Sequence, residues 1–338
     1  MKSATELLLQ SERILISGHL RADGDCLGTE SALYHLCKEL GKEVVVMNPD
    51  TPDQRYERMH EHTPFEVWNP GSALPEHDLV VVCDCSIPSR LGAMGEQLAA
   101  GSAKRMVIDH HPLGEEDARF WDVLLHDETA AASGVMVMRL AQELKVKLPL
   151  PALEAAFIAI ATDTGWFKYS NANAEAWQCA SELVAGGVVP DELFRAIYQQ
   201  SDGGHPRGVA ACLAGAQLFA GGKAMLACLS RAELAASGGT LEDSDEVLDL
   251  MRSVGTVEVV AFAYEREDGV IKASLRSKEV VDVSSIAGEL GGGGHHRASG
   301  ITFQSEVTLD QAVTSLHKLL EGACAEAGLI QLSAVRDS

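Results

Sequence analysis

Four short groups of acidic residues and histidines stand where packing gives no reason for them. His19, Asp23 and Asp25 lie in His19-Leu20-Arg21-Ala22-Asp23-Gly24-Asp25, and Asp84 ends the run Leu79-Val80-Val81-Val82-Cys83. Asp109-His110-His111 follow Met106-Val107-Ile108, and Asp163 closes an alanine-rich segment. In an open parallel sheet the carboxyl ends of the strands converge on one crevice, so groups distant in sequence meet there. Imidazole nitrogens and carboxylate oxygens without thiolates suit Mn²⁺ or Mg²⁺ better than a closed zinc site. Adjacent aspartates repel unless a cation lies between them, and Gly24 permits the tight turn that aims Asp23 and Asp25 inward. Each group alone has a plain reading, such as an Asp-Gly turn or a helix cap. Their recurrence at matching positions carries the metal-site expectation.

The elements that must position these groups are legible as alternating patterns. Apolar runs at Arg13 to Ser17, Glu43 to Met47, Phe65 to Trp68, Leu79 to Cys83, Met106 to Ile108 and Trp121 to Leu125 read as strands separated by helical stretches. Near-continuous Val, Ile and Leu in those strands predicts an α/β domain, a parallel sheet with helices on both faces. Helices are expected over Thr129 to Leu144 and Leu153 to Ala161. Breakers at Pro190, Gly203-Gly204, Pro206 and Gly221-Gly222 mark a connector holding one helix. The expected division is a metal-binding domain over 1–190, a connector over 191–222 and a smaller α+β domain over 223–330, with a cleft between the two domains. Predicted there are strands at Lys223 to Leu229, Val257 to Tyr264, Val270 to Arg276 and Ile301 to Phe303. Helices are expected at Asp245 to Val254, near Ser284 to Leu290 and over Leu309 to Ala325, with a glycine loop at Gly291 to Gly294.

Composition narrows the partners. The 338 residues, 46% hydrophobic, are those of a globular protein, and the net charge of −22 opposes long polyanions. A phosphate-bearing substrate must then be small, or be met by metal ions and a few arginines. Eight cysteines form no CxxC pair, which fits a reducing cytoplasm, and Cys83 and Cys85 flank Asp84 on alternating faces rather than forming a zinc-thiolate site. No apolar run approaches the ~18 residues of a membrane span, and the amino terminus lacks a signal peptide's apolar core.

Taken together, the motifs His19-x3-Asp23-x-Asp25, Asp84, Asp109-His110-His111 and Asp163 resemble those of the DHH-family phosphoesterases. Gly292-Gly293-Gly294-His295 with Ala298-Ser299-Gly300, and Arg276-Ser277 upstream, resemble the DHHA1 substrate-binding domain. The wording departs at Ala22, Cys26 and His296, none of which removes a ligand. The resemblance implies two Mn²⁺ ions, with Mg²⁺ as the alternative. One would be held by His19, Asp23 and Asp84, the other by Asp25, Asp84, His110 and Asp163, with Asp84 bridging. Paired ions of this kind activate water and neutralise phosphoryl charge without a covalent intermediate. Catalytic roles fall to His111, touching the scissile phosphate or moving a proton, and to Asp109, orienting the histidines.

In the second domain, Arg276, Ser277, Gly292, Gly293, Gly294 and His295 are the candidate substrate clamp, since glycine-rich backbone turns N–H groups toward anions. Arg297 is a weaker candidate, and either His295 or His296 could face substrate. Trp166, Phe167 and Tyr169 could stack a base, although core packing suits Trp166 and Phe167 better. Ser133-Gly134 reads as a helix cap. The family member that this architecture most resembles hydrolyses very short RNA to mononucleotides and 3′-phosphoadenosine-5′-phosphate (pAp) to AMP. Alternatives are a phosphodiesterase for cyclic di-AMP or pApA, an inorganic pyrophosphatase or exopolyphosphatase, and a non-catalytic nucleotide sensor. The expected partners are thus short oligoribonucleotides or a small nucleotide, with no long nucleic acid and no membrane. A homodimer is the default for such an enzyme.

Overall fold

The computed structural model describes residues 1–241 and 245–331. It divides the chain into two compact units, Met1–Gln200 and Ser201–Ser338.

The first unit is built on a six-stranded sheet: β1 (Arg13–Ser17), β2 (Glu43–Asn48), β3 (Phe65–Val67), β4 (Leu79–Cys83), β5 (Lys104–Asp109) and β6 (Val123–His126). The order is β3-β2-β1-β4-β5-β6, and every pairing is parallel. The chain winds outward from β1 to β3, returns to β4 and winds the other way. The order therefore reverses between β1 and β4, the point at whose carboxyl ends open α/β sheets place their binding sites.

Alternating side chains feed two cores. Ile14, Ile16, Val81, Cys83 and Ile108 pack beneath the helices Lys2–Gln10, Gly24–Glu39, Ser133–Leu144 and Leu150–Asp163. Leu15, Val80, Val82 and Val107 pack on the opposite face with Met94, Leu98 and Trp121. Cys83 and Cys85 fall into these different cores, although residues two apart share a face within a strand, because Asp84 between them turns left-handed at φ +57° and ends the alternation. The Leu150–Asp163 helix is apolar nearly all round and buried accordingly. It lies close against Gly24–Glu39 because Gly28 faces it. A Cβ at Gly28 would stand 2.5 Å from the Ala155 carbonyl oxygen, and one at Gly134 would stand 2.5 Å from Ala159 Cβ.

The second unit carries β7 (Gln217–Phe219), β8 (Ala224–Leu229), β9 (Val259–Glu265), β10 (Ile271–Ser277), β11 (Gly293–His295) and β12 (Ala298–Thr302), in the order β11-β12-β10-β9-β8-β7. Only the β8–β9 pairing is parallel. The Leu309–Glu326 helix buries Ala312, Leu316, Leu320 and Cys324, a four-residue stripe, against one face. His205–Ala214 and Asp245–Arg252 cover the other.

Two expectations change. The stretch 191–222 is no free-standing connector, because Pro190–Tyr198 completes the first unit while His205–Ala214 and β7 belong to the second. The glycine run is not simply a loop, because Gly293 to His295 pair with Ala298 to Gly300 as an edge strand. Glycine is needed there for proximity: Gly294 has φ +142°, and a Cβ on it would stand 2.6 Å from the Ala298 carbonyl oxygen.

Candidate metal centre

Strand ends and helix ends bring six side chains of the first unit together. His19 follows β1, Asp84 follows β4 and His110 follows β5; Asp23 caps the Gly24–Glu39 helix, Asp25 lies in its first turn and Asp163 is the last residue of Leu150–Asp163. His19 Nε2 lies 3.7 Å from Asp84 Oδ2. His110 Nε2 lies 3.5 Å from Asp25 Oδ2, 3.5 Å from Asp84 Oδ1 and 3.8 Å from Asp163 Oδ2. Three overlapping sets form, His19/Asp23/Asp84, Asp25/His110/Asp163 and Asp84/His110/His111, each with its ligand atoms within 4.8 Å of one another.

Main-chain contacts orient the imidazoles. His19 Nδ1 is 2.9 Å from the Leu20 carbonyl oxygen and His110 Nδ1 is 3.1 Å from that of Ala130. A proton on each Nδ1 leaves the Nε2 lone pair aimed at the carboxylates, the arrangement that metal-ligating histidines use. Both Nε2 atoms are buried without a hydrogen-bond partner. Such orphans are costly in a finished core and fit the donor set of a divalent cation site.

The carboxylates are equally constrained. Asp25 accepts from the Ser133 N–H (2.7 Å), the Gly134 N–H (3.1 Å) and Thr29 Oγ (3.0 Å), so the amino end of the Ser133–Leu144 helix points at it. Ser133 Oγ donates to Asp84 Oδ1 at 3.0 Å. Asp84 sits at φ +57°, a left-handed conformation uncommon outside glycine and often retained at functional sites. Asn171 Nδ2 donates to Asp163 Oδ2 at 3.0 Å. Ser133, Thr29 and Asn171 escaped the sequence reading: Ser133-Gly134 announces only a cap, and no spacing links the other two to the motifs.

Crowded acids perturb one another. Burial, then Asp84 and Asp163, push Asp25 well above the usual carboxylate range, and burial with Asp84 and Asp23 raises Asp163 to about 7. Burial opposes ionisation of Asp84, yet His110 and His19 hold its carboxyl well below that range. Burial alone would lower His110, but Asp84, Asp25 and Asp163 lift it to about 11. A cation at the centre would take over the proton's role.

His111 and Asp109 form a dyad beside the cluster. His111 Nδ1 is 2.7 Å from Asp109 Oδ1, and fully buried Asp109 also accepts the Ser86 N–H at 2.6 Å. Burial acts to lower His111, but the Asp109 hydrogen bond raises it overall. Trp166 and Phe167 pack against the core instead of standing open, at 6.0 and 5.9 Å from Phe157, and the Tyr169 ring fills the space beside Gly165.

In the second unit, Arg276, Ala298 and His295 share one row across β10, β12 and β11, which puts Arg276 and His295 on one face. Arg276 Nη2 is held by Asp245 Oδ1 at 2.6 Å. Ser277 is buried, its Oγ 3.5 Å from the His296 carbonyl oxygen, and Gly292 leads into the Gly293–Gly294 edge. His296 pairs with Asp282 at 2.9 Å, leaving His295 as the neighbour on the Arg276 face. Arg297 donates to the carbonyls of Val281 and Glu279 and so ties down a loop.

The comparisons with known proteins agree along the chain. Residues 13–162 match the DHH family N-terminal domain, and residues 221–322 match the DHHA1 domain. A Thermus thermophilus protein named bifunctional oligoribonuclease and PAP phosphatase NrnA is 31% identical over 332 residues, 98% of this chain and 96% of its own. The protein of that name from Bacillus subtilis is 26% identical over 91% of this chain and 95% of its own length. A Geobacillus thermodenitrificans cyclic-di-AMP phosphodiesterase GdpP is 27% identical over 93% of this chain, which spans 48% of that longer protein. The crystal structure of an exopolyphosphatase-related protein from Bacteroides fragilis superposes with a TM-score of 0.88 at 24% identity, covering 97% of each chain, and shows a shared fold.

Proposed function

This chain belongs to the DHH family and carries a DHHA1 domain, and from that premise we propose that it is a metal-dependent phosphoesterase that hydrolyses very short RNA to mononucleotides and pAp to AMP. The observation that carries the reading is the pair of orphaned Nε2 atoms of His19 and His110, buried among Asp25, Asp84 and Asp163. His19, Asp23 and Asp84 would hold one cation, and Asp25, Asp84, His110 and Asp163 the other. Mn²⁺ is the ion we assign, with Mg²⁺ second, on the hard oxygen and nitrogen donor set. Such ions, when bound, acidify water and offset charge growing on the phosphoryl oxygens.

The chain's own residues supply the rest. Ser133, Thr29 and Asn171 lock the carboxylates so that little reorganises during reaction. His111, whose hold on a proton burial weakens but Asp109 strengthens overall, would give a proton to the leaving oxygen. Arg276 and His295, with the Gly292–Gly294 backbone, form one face of the second unit suited to a terminal phosphate, while Ser277, next along β10 and buried, lies on the opposite face and would support that edge from behind. Eight unpaired cysteines support work in a reducing compartment, the cytoplasm. No helix among the described residues is long and apolar enough to cross a membrane.

Purified protein with Mn²⁺, assayed on pAp, short RNA, cyclic di-AMP and pApA, tests the reading. Turnover of pAp and short RNA is expected, and failure on both refutes it. The second reading, a cyclic di-AMP or pApA phosphodiesterase, is favoured by the similarity to GdpP and predicts the opposite ranking.

A further inference from the structure

Behind the proposed metal centre lies a polar knot with no exposure. Glu30, on the inner face of the Gly24–Glu39 helix, Asn48 at the end of β2 and Cys26 are each 0% exposed. Asn48 Nδ2 donates to Glu30 Oε2 at 2.8 Å, and Asn48 Oδ1 accepts the Gly18 N–H at 3.1 Å. Cys26 Sγ lies 3.5 Å from Glu30 Oε1 and 3.6 Å from the Cys83 carbonyl oxygen. Gly18 presses so closely that a Cβ there would collide with both Cys26 Sγ and Glu30 Oε1. These three side chains together tie the ends of β1, β2 and β4 to the helix that presents Asp25, with the Glu30 carboxyl joining Asn48 to Cys26.

The residues this knot touches matter by position. Gly18 immediately precedes His19, and Cys83 immediately precedes Asp84, so the knot grips the backbone just before two proposed ligands of the same cation. A buried carboxylate is a poor way to fill a core, and apolar residues of equal volume commonly do as well or better for stability. From this geometry we infer that Glu30, Asn48 and Cys26 are positioning residues that set the separation of His19 and Asp84 at the metal centre. The inference rests on the metal centre proposed above. Groups that hydrogen-bond metal ligands directly change metal affinity ten- to a hundredfold, and supports acting through the adjoining backbone of two ligands belong at the lower end of that range.

The test measures Mn²⁺ binding by titration calorimetry and electron paramagnetic resonance, with thermal unfolding recorded in EDTA. Glu30→Met preserves volume but strands the buried Asn48 amide, so the unfolding midpoint should fall modestly; below that midpoint the folded protein should bind Mn²⁺ at least tenfold more weakly and give a broadened Mn²⁺ spectrum. Glu30→Gln keeps an acceptor for Asn48 and should restore affinity to within about threefold of the parent. Asn48→Leu, which cuts the link to Gly18 from the other side, should repeat the loss and should not add to Glu30→Met in the double variant; it also serves if Glu30→Met does not fold. Parent-like Mn²⁺ affinity in Glu30→Met or Asn48→Leu overturns the inference, as does a loss in Glu30→Gln equal to that in Glu30→Met. If the parent protein itself binds no Mn²⁺, the metal-centre reading fails instead.

Discussion

Replacing Asp109 by Asn isolates the proposed proton donor without touching a proposed metal ligand. Asp109 Oδ2 accepts the Ser86 N–H at 2.6 Å, so an asparagine must keep its carbonyl oxygen there and turn its amide nitrogen toward His111. That nitrogen would face the His111 main-chain N–H, which Asp109 Oδ1 now accepts at 3.0 Å, and the Nδ1 now at 2.7 Å. Two donors would then oppose each other, and His111 Nδ1 would have to give up its proton to accept instead. Losing the charge-assisted bond costs roughly 1.5–3 kcal/mol, and the stranded N–H adds about 1–3 kcal/mol. Since part of this falls equally on the resting protein, a fall in kcat of about 10²- to 10³-fold, or roughly 3–4 kcal/mol at the barrier, is expected. KM for pAp and Mn²⁺ affinity should change by less than about threefold, or ~0.7 kcal/mol. Steady-state kinetics with a Mn²⁺ titration measures both. A kcat within fivefold of the parent, or a loss explained wholly by weaker Mn²⁺ binding, refutes the assignment.

Three further outcomes follow from packing and charge. Gly28→Ala forces a methyl to within 2.5 Å of the Ala155 carbonyl oxygen, a backbone atom that cannot swing away; denaturant unfolding should show a loss of about 1–3 kcal/mol, and a neutral or stabilising change would contradict the close helix contact. Glu258 Oε1 accepts the N–H groups of Glu279, Val280 and Val281 at 2.8, 2.6 and 3.1 Å, so Glu258→Ala should cost about 2–4 kcal/mol and speed amide exchange at those three positions; unchanged exchange there would sink this. His35, with His62 nearby, is lowered by burial from 6.5 to about 4. The folded protein therefore binds fewer protons than the unfolded chain between those values, and His35 removes stability as pH falls through that window, with no effect above it. Discounted for partial solvent access, the difference between parent and His35→Gln measured in EDTA should shift by about 1–2 kcal/mol between pH 7 and pH 4. Parallel stability curves would exclude it.

Much of the first unit is legible because its chemistry follows its strands. An apolar run ending in Asp84 or in Asp109-His110 places those residues at a sheet edge wherever the strand lies in the order, so the site can be anticipated without knowing that order. The reversal between β1 and β4 has no local sequence signature, since strand order depends on which helices bury which face. Contacts that cross long stretches of chain are equally hidden. Ser133 meets Asp25 across 108 residues, and Asn48 meets Glu30 only because β2 lies beside β1. Glu30 itself carries no local signal as a buried acid, standing among apolar and polar helix neighbours alike. In the second unit the glycine run reads as a loop because glycine weakens strands, yet here it leads into an edge strand whose partner approaches too closely for a side chain at Gly292 and Gly294.

The central claim is that two cations share Asp84. Anomalous diffraction at the manganese edge from crystals grown with Mn²⁺ tests it most directly. Two peaks per chain are predicted, one bounded by His19, Asp23 and Asp84, the other by Asp25, Asp84, His110 and Asp163, with both weakened in Asp84→Ala. No manganese peak among these side chains, or peaks elsewhere with activity intact, would contradict the account.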